Sequence, residues 1–166
     1  MRKRDLTGTI FFLCGLWILT GCATSPPGEQ KVETIAVWDL DDLSPAKGTR
    51  LPMGEILAGK IIEFLKERRE YVVVERQRLL LALEELRLGS TALVDEATRL
   101  RLGKMLGAKQ MVFGGYQVIG GQMRLDLRLV EVETGRVRRA VQKTSASGSL
   151  EGWMEATRKA AEELLR

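Results

Sequence analysis

Residues 110–132, with the sequence QMVFGGYQVIGGQMRLDLRLVEV, decide the fold of this chain. Two stretches typical of strands flank the pair Gly120-Gly121, which has the signature of a two-residue hairpin turn. The return stretch alternates cleanly, because every second position from Met123 to Leu129 is apolar and charged residues stand between. The charged positions are Arg124, Asp126 and Arg128. The sequence therefore predicts an antiparallel hairpin with one apolar and one polar face.

The apolar phase of this pattern changes near the end of the hairpin. After Leu129 the apolar positions are Val130 and Val132, which fall out of step with the preceding alternation. A β-bulge inserts one extra residue into a strand and moves the side chains that follow to the other face. We therefore predict a bulge near residues 129–131.

Glycine residues lie at the predicted turns in this part of the chain. Thr134-Gly135 predicts a second turn, and a third, more polar strand is expected from Arg136 to Thr144, which completes an antiparallel meander. Gly114-Gly115 and Gly120-Gly121 do not fit a phosphate-binding loop, because no Lys-Ser/Thr follows and no strand-to-helix turn contains them. They are interpreted as turn and bulge glycines.

The rest of the chain predicts two further strands and four helices. Thr34–Trp38 and Tyr71–Val74 are short apolar runs with β-branched residues, which are typical of buried strands. Four stretches place apolar residues at helical spacing, and they begin at Pro52, near Leu79, at the N-cap Asp95 and at the N-cap Ser149. The predicted fold class is α/β, with mixed α+β layers: an approximately five-stranded mixed sheet with a C-terminal antiparallel meander, packed by four helices. We expect the side that carries Arg124, Asp126 and Arg128 to be the more open one.

Three helices have predicted inner faces that the structure can test. They are Leu79, Leu80, Leu83 and Leu86 in the second helix, which ends near Gly89; Ala97, Leu100 and Leu106 in the third, which ends at Gly107; and Leu150, Trp153, Met154, Ala160, Ala161, Leu164 and Leu165 in the last. The first helix contains Gly54 and Gly59, each of which lowers its stability by ~1 kcal/mol relative to Ala. We interpret both glycines as positions of close packing against the sheet.

The N-terminus has the layout of a secretion signal. Arg2-Lys3-Arg4 precedes an apolar run from Ile10 to Leu19 that is too short to cross a bilayer. The run ends in Leu19-Thr20-Gly21-Cys22, which resembles a bacterial lipobox. The resemblance implies that residues 1–21 are a lipoprotein signal peptide and that Cys22 carries acyl chains on its sulfur and its amine. The alternatives are an ordinary signal peptide with an incidental cysteine and a soluble protein with an apolar N-terminus.

The segment after this box predicts where the folded domain lies relative to the membrane. Two or more acyl chains hold a protein to a membrane stably. Ala23, rather than Asp, follows the cysteine, and by similarity to Gram-negative sorting this implies the periplasmic face of the outer membrane. Residues 22–31 are polar around Pro26-Pro27 and are interpreted as a lipidated tether with a reach of at most ~35 Å. Residues 32–166 form the predicted globular domain.

Composition excludes most catalytic chemistry. The chain has two cysteines and no histidine. Cys14 leaves with the signal peptide and Cys22 is used by lipid, so the folded part has neither disulfides nor thiol chemistry. The missing histidine excludes Ser-His-Asp and Cys-His catalysis and His-ligated zinc. Removal of residues 1–21 leaves 23 basic and 21 acidic residues, a balance that gives no support to nucleic-acid binding.

Carboxylates are the remaining candidates for chemistry. Asp39, Asp41 and Asp42 follow the first strand, but the alternating ligands, glycine and distal glutamate of an EF-hand loop are missing. Solvated loop charges explain them better than a metal site does. Glycoside hydrolysis needs only two carboxylates that face each other across a cleft, and Asp39 with Asp126 is the pair to test.

Four short motifs stand in a fixed order behind the lipobox. They are Ile35-Ala36-Val37 before an acidic turn, Val73-Val74-Glu75-Arg76, Leu106-Gly107-Ala108 before a glycine-containing strand, and Leu129-Val130-Glu131-Val132-Glu133-Thr134-Gly135. Together they resemble the curli-secretion (CsgG-type) lipoprotein family over roughly residues 32–166. The resemblance implies the fold predicted above. It also implies a relation to flagellar outer-membrane (FlgO-type) lipoproteins and to lipoprotein activators of a penicillin-binding protein (LpoB-type).

The resemblance implies a non-enzymatic component of an envelope secretion or appendage system. Pore-forming members carry long hairpins, whereas the loops here are short, so we do not expect this chain alone to form a channel. Activation of peptidoglycan synthesis is the alternative, although LpoB-type activators reach their synthase through a long flexible linker that is missing here. The expected partners are the membrane, through Cys22, and other envelope proteins or copies of the chain itself. No cofactor, metal or nucleic acid is expected.

The predicted partner surface is the polar face of the meander. Its candidate residues are Arg124, Arg128, Arg138 and Arg139. Arginine is enriched in protein interfaces. A solvated sheet face with no partner is the alternative, because charged residues are mostly exposed in any folded protein.

Overall fold

The computed structural model of the chain describes residues 32–45, 51–86 and 94–166. The signal peptide, the lipobox, Cys22 and the tether lie outside these ranges, as does the predicted end of the second helix near Gly89. The secondary-structure elements are β1 (Glu33–Val37), β2 (Asp41–Asp42), α1 (Met53–Lys66), β3 (Tyr71–Val73), α2 (Arg76–Glu85), α3 (Glu96–Met105), β4 (Gln110–Ile119), β5 (Gln122–Glu131), β6 (Val137–Thr144) and α4 (Leu150–Leu164).

The strands form one mixed sheet in the order β3-β1-β4-β5-β6, which confirms the predicted fold class and the C-terminal meander. β1 is parallel to both β3 and β4, whereas β4, β5 and β6 are antiparallel. The short strand β2 was not predicted: Asp41 and Asp42 pair in parallel with Gly115 and Tyr116, in a segment expected to be a loop. Two aspartates have no apolar periodicity, so the sequence pattern could not reveal this strand.

The hairpin has the predicted register, but the phase change has a different cause. β4 and β5 pair without interruption from Gln110 opposite Glu131 to Ile119 opposite Gln122. A register shift does occur between Leu129 and Val130, in the pairing of β5 with β6. Its extra residue lies in β6, since Leu129 faces Arg139 while Val130 faces Val137.

Both faces of the sheet are covered near this point, and this explains the change of apolar phase. Leu129 belongs to a core formed with α1 and α4 on the first face of the sheet, together with Met123, Leu125 and Leu127. Val130 belongs to a second core formed with α2 and α3 on the other face, together with Met111 and Phe113. The strand therefore alternates normally, and it is the burial of the two faces that changes.

The helix ends follow the sequence closely. Asp95 accepts a hydrogen bond from the Thr98 amide at 2.8 Å and caps α3, and Ser149 caps α4 through the Gly152 amide at 3.1 Å. Gly107 ends α3 with φ +77°. Pro52 is the N-cap of α1 rather than its first helical residue. No helix in the described part of the chain is both long enough and apolar enough to cross a bilayer.

The predicted inner faces of the helices are correct at their centres and wrong at some ends. Leu79 and Leu83 of α2 are buried, and so are Ala160, Ala161 and Leu164 of α4. Leu86 and Leu150 are exposed at the ends of their helices, and Ala97 is exposed because α3 turns Arg99, Leu102 and Gly103 inward instead.

The two glycines of α1 differ in their surroundings. A Cβ on Gly54 would overlap the carbonyl oxygen of Leu40, whose amide donates a hydrogen bond to the Gly54 carbonyl at 3.2 Å. The close-packing interpretation is confirmed there. It is wrong for Gly59, where a Cβ would meet no atom within 4 Å.

We predict that Gly54→Ala and Gly59→Ala change stability in opposite directions. The first substitution forces the helix away from Leu40 and should lower the free energy of unfolding by about 1–3 kcal/mol. The second only reduces the entropy of the unfolded chain and improves helix propensity, so it should raise that free energy by about 0.5–1 kcal/mol. Urea denaturation of both variants checks this, and destabilisation of equal size would contradict it.

Tyr116 connects β4 to the short strand β2. Its ring is buried, and the Asp42 carboxylate accepts a hydrogen bond from its hydroxyl. Burial of the hydroxyl, followed by the nearby negative charge and this hydrogen bond, raises the pKa of Tyr116 to about 12. The neutral phenol is therefore favoured in the folded state.

We predict a loss of stability in alkali that depends on this phenol. Because the pKa is raised on folding, the contribution of Tyr116 is complete below pH ~10 and is lost as the pH rises from ~10 to ~12. Between those values the wild type should lose more stability than Tyr116→Phe, as measured by urea denaturation. The chain has two tyrosines, so Tyr71→Phe isolates Tyr116 for an ultraviolet titration. Equal losses in wild type and Tyr116→Phe would refute the assignment.

Candidate functional site

The part of the second sheet face that α2 and α3 leave uncovered is the candidate site. We call it the open face, and it consists of Arg124, Asp126, Arg128, Gln142 and Thr144 on β5 and β6. These residues share a face because Arg124 pairs with Thr144, and Asp126 with Gln142, directly across the two strands. Their neighbours Leu125 and Leu127 point into the core on the other side. The expectation of an open polar side is thus confirmed.

The structure does not bring the four predicted arginines together. Arg124 and Arg128 lie on the open face. Arg139 pairs with Leu129 on the opposite face and donates a hydrogen bond from Nη1 to the Glu163 carbonyl of α4 at 3.1 Å. Arg138 is the extra residue of the register shift, with Nη1 3.7 Å from Oε1 of Glu131. Arg139 is in register with Ala140 to Thr144, and alternation alone separates it from Gln142 and Thr144. Arg138 could not be placed by periodicity, because the register shift falls at this residue.

The arginines of the open face are neutralised by neighbouring carboxylates. Arg124 makes a two-pronged contact with Asp126, at 3.0 Å from Nε and 3.1 Å from Nη2. The hydrogen bond from this guanidinium, followed by the attraction of the two charges, raises the pKa of Arg124 further. Arg128 donates from Nη2 to Glu96 at the start of α3, at 2.9 Å. The open face is therefore a mixed-charge surface rather than a basic patch.

A groove with a volume of about 450 Å³ separates the open face from the start of α3. Asp126 and Arg128 form its sheet side, and Asp95 and Glu96 form its helix side. The remaining lining residues are Asp41, Leu43, Val94, Arg99, Phe113, Gly114 and Gly115. The carboxylate of Asp95 is engaged within its own helix, because it caps α3. The hydrogen bond from the Thr98 amide holds the pKa of the Asp95 carboxyl below its usual range.

Arg99 supports this groove, and the sequence analysis missed it. Its side chain is only 10% exposed, and its two terminal nitrogens each lie 3.1 Å from the carboxylate of Asp41. Nε donates to the Val94 carbonyl at 2.7 Å, and the guanidinium lies 5.4 Å from the ring centre of Trp38. The available signal was its spacing of three residues from Leu102, which places it on the inner side of α3.

The acidic residues predicted as a possible site are held by separate partners. Asp39 accepts two hydrogen bonds from Arg76, at 3.1 and 2.9 Å, and this hydrogen bonding is the main reason that the pKa of Arg76 is raised. Asp41 pairs with Arg99, and Asp42 accepts from the Ser44 amide at 2.9 Å. Within residues 32–45, 51–86 and 94–166, no group of three acidic side chains is arranged to hold a metal ion. Asp39 is not among the residues that line the groove with Asp126.

Comparison with a family of known proteins identifies the class of this protein. Residues 22–119 match the family described as curli production assembly/transport component CsgG. Because the match covers more than half of the chain, the chain belongs to the CsgG family. No curated protein sequence matches this chain.

Solved structures show that the fold is shared with known lipoproteins. The C-terminal domain of LpoB from Escherichia coli has 13% sequence identity and a TM-score of 0.60, over 75% of this chain and 90% of that one. The same domain from Salmonella enterica has 15% identity and a TM-score of 0.58, over 70% and 84%. Lipoprotein GNA1162 from Neisseria meningitidis has 15% identity and a TM-score of 0.52, over 80% and 95%. At these identities the likeness concerns the fold alone.

We predict that Arg99 is the most sensitive charged residue of the groove. Arg99→Met leaves the Asp41 carboxylate and the Val94 carbonyl without their donor and should lower the free energy of unfolding by about 1–3 kcal/mol. Arg99→Lys keeps the charge but not the two-pronged contact, so its loss should be intermediate. Arg101→Met, at an exposed position of the same helix, is the control and should change stability by about 0.5 kcal/mol or less. Urea denaturation measures all three, and equal effects at both positions would contradict the role of Arg99.

Proposed function

We propose that this protein is an outer-membrane lipoprotein that faces the periplasm and binds other proteins in an envelope secretion or appendage assembly, without catalysing a reaction. The family match supports this proposal, because it begins at Cys22, the residue that would be the first of the mature chain, and because the family is described as an assembly and transport component. Residues 1–21 are then the signal peptide, residues 22–31 the lipidated tether and residues 32–166 the globular domain.

The open face is the observation that carries the binding role. The two cores are formed with the inner faces of the four helices, and α2 and α3 cover only part of the second sheet face, so the rest of that face is open to solvent. Its charged side chains are already paired, so a partner that covers them meets no isolated charge. Leu43, in the lining of the adjoining groove, is 59% exposed and offers apolar contact next to a polar rim.

Activation of peptidoglycan synthesis is the second candidate. The likeness of fold to the LpoB C-terminal domain favours it. The ten-residue tether opposes it, because a fully extended segment of this length reaches only ~35 Å from the membrane. If the protein activates peptidoglycan synthesis, its partner synthase has to approach the outer membrane.

We predict that a photo-crosslinking amino acid at Gln142 captures a partner protein in cells, whereas the same amino acid at Lys159 does not. Gln142 lies on the open face, and Lys159 lies on the exposed side of α4, which covers the opposite face. Mass spectrometry of the adducts identifies the partner: a secretion or appendage component supports the first proposal, and a penicillin-binding protein supports the second. Equal capture at both sites, or none at either, would contradict a binding role for the open face.

The anchor needs a separate test. Cys22→Ser should prevent acylation, so the variant should disappear from the outer-membrane fraction and lose the acyl mass expected for the wild-type N-terminus. Cys14→Ser is the matched control and should change neither, because Cys14 lies within the predicted signal peptide. Unchanged fractionation of Cys22→Ser would refute the proposed lipidation.

A further inference from the structure

One end of the sheet receives the tether. Val32, the first described residue, is exposed and leads directly into β1. The segments that precede the parallel strands lie beside it, since the Glu33 amide donates to the Glu70 carbonyl at 2.9 Å and the Lys109 amide donates to the Thr34 carbonyl at 2.7 Å. The Val132 amide in turn donates to the Lys109 carbonyl at 3.0 Å, which brings the turn between β5 and β6 to the same end. We call this the anchor end.

Exposed basic residues are distributed along the anchor end. Arg69 precedes β3, Lys109 precedes β4, and Arg136 precedes β6. All three are exposed, and within the described residues none of them has an ion pair or a side-chain hydrogen bond. They therefore present free donors and positive charge next to the point where the tether enters.

Most carboxylates of this end are already engaged. Glu70 lies 3.8 Å from Arg68, Glu131 lies 3.7 Å from Arg138, and Glu133 lies 2.8 Å from Lys104. Glu33 accepts a hydrogen bond from the Gln110 amide group at 2.6 Å. In this region of the described chain Glu67 has no ion pair, and the Gln110 amide that donates to Glu33 is uncharged, so three bases without an ion pair stand against two such acids.

The tether keeps this end close to the lipid. Ten residues separate the start of the mature chain from Val32 and extend at most ~35 Å. The strands β4 and β5 have ten residues each, so the turn at Gly120-Gly121 lies a further ~33 Å from the anchor end along the strands. The tether therefore enters at the basic end and lets that end reach the membrane, while a tether of this length does not by itself fix the orientation of the domain.

We propose that the anchor end docks on anionic phospholipid headgroups, with Arg69, Lys109 and Arg136 binding their phosphate groups. The proposal rests on the lipidation of Cys22 proposed above, and it adds an orientation that the lipid alone does not impose. Basic side chains near an anionic surface are attracted to it within about a Debye length, ~8 Å at physiological salt. Docking sets the strands upright on the membrane, so that the open face stands perpendicular to the lipid and remains free for a partner.

Energy transfer from single labels tests the orientation. With Cys14 removed and Cys22 acylated, an introduced cysteine is the only free thiol of the mature lipoprotein. Thr134→Cys labels the anchor end and Gln122→Cys labels the opposite turn. In vesicles of phosphatidylglycerol and phosphatidylethanolamine with an acceptor-labelled lipid, transfer from position 134 should exceed transfer from position 122. The difference should shrink in phosphatidylcholine vesicles and in the triple variant R69E/K109E/R136E, but not in the charge-matched control K60E/R78E/K159E.

A second assay separates this inference from the proposed anchoring. The mature chain with Cys22→Ser should bind phosphatidylglycerol vesicles directly, and each reversal among Arg69, Lys109 and Arg136 should weaken binding ~5-fold or more. Reversal of Lys60, Arg78 or Lys159 should weaken binding less. Absence of acyl mass on Cys22 would refute the anchor and leave this vesicle assay decisive for docking. Equal binding by both triple variants, or equal transfer from both labels, would overturn the inference.

Discussion

The pairing of β4 with its neighbours is the constraint on which the rest of the structure depends. β4 joins β1 and β2 on one side and pairs along its whole length with β5 on the other. Buried backbone donors and acceptors must find partners, and a central strand finds them only if both neighbours keep their register. The alternation of β5 then assigns its leucines to one core, and the same register places Phe113 and Val130 in the other. The register of β4 with β5 therefore decides which residues each of the two helical layers covers.

Most of the fold could be predicted because most of its elements are set by residues close together in the sequence. The hairpin, its glycine turn, the caps at Asp95 and Ser149 and the order of elements all follow from residues within a few positions of one another. The features that the sequence did not reveal join distant residues: Arg99 meets Asp41 across 58 positions, and Arg76 meets Asp39 across 37. Polar partners have no period, so no repeat in the sequence points to them. The change of apolar phase at Val130 was visible in the sequence. Its cause, the burial of the second sheet face under α2 and α3, was visible only in the structure.

The candidate site was predicted in outline and not in detail. The open polar face was expected from the alternation of β5, and the structure has it. The charge of that face depends on which carboxylates lie opposite each arginine, and this is a tertiary property. On this face Arg124 and Arg128 therefore form separate ion pairs with Asp126 and Glu96 rather than a row of free charges. The chain shares its fold with the LpoB C-terminal domain at only 13–15% sequence identity, so this architecture is compatible with very different sequences.

The composition of β6 has a consequence for encounters between copies of the protein. β6 is the last strand of the sheet order, eight residues long, with Arg138, Arg139 and Lys143 and no acidic residue. An open strand edge is a template for sheet-to-sheet polymerisation, and long charged side chains along that edge oppose it. Arg138, Arg139 and Lys143 place three such side chains along β6, where Glu131 and Glu163 pair with the first and the last of them. Edge-to-edge pairing of two copies into one continuous sheet is therefore disfavoured.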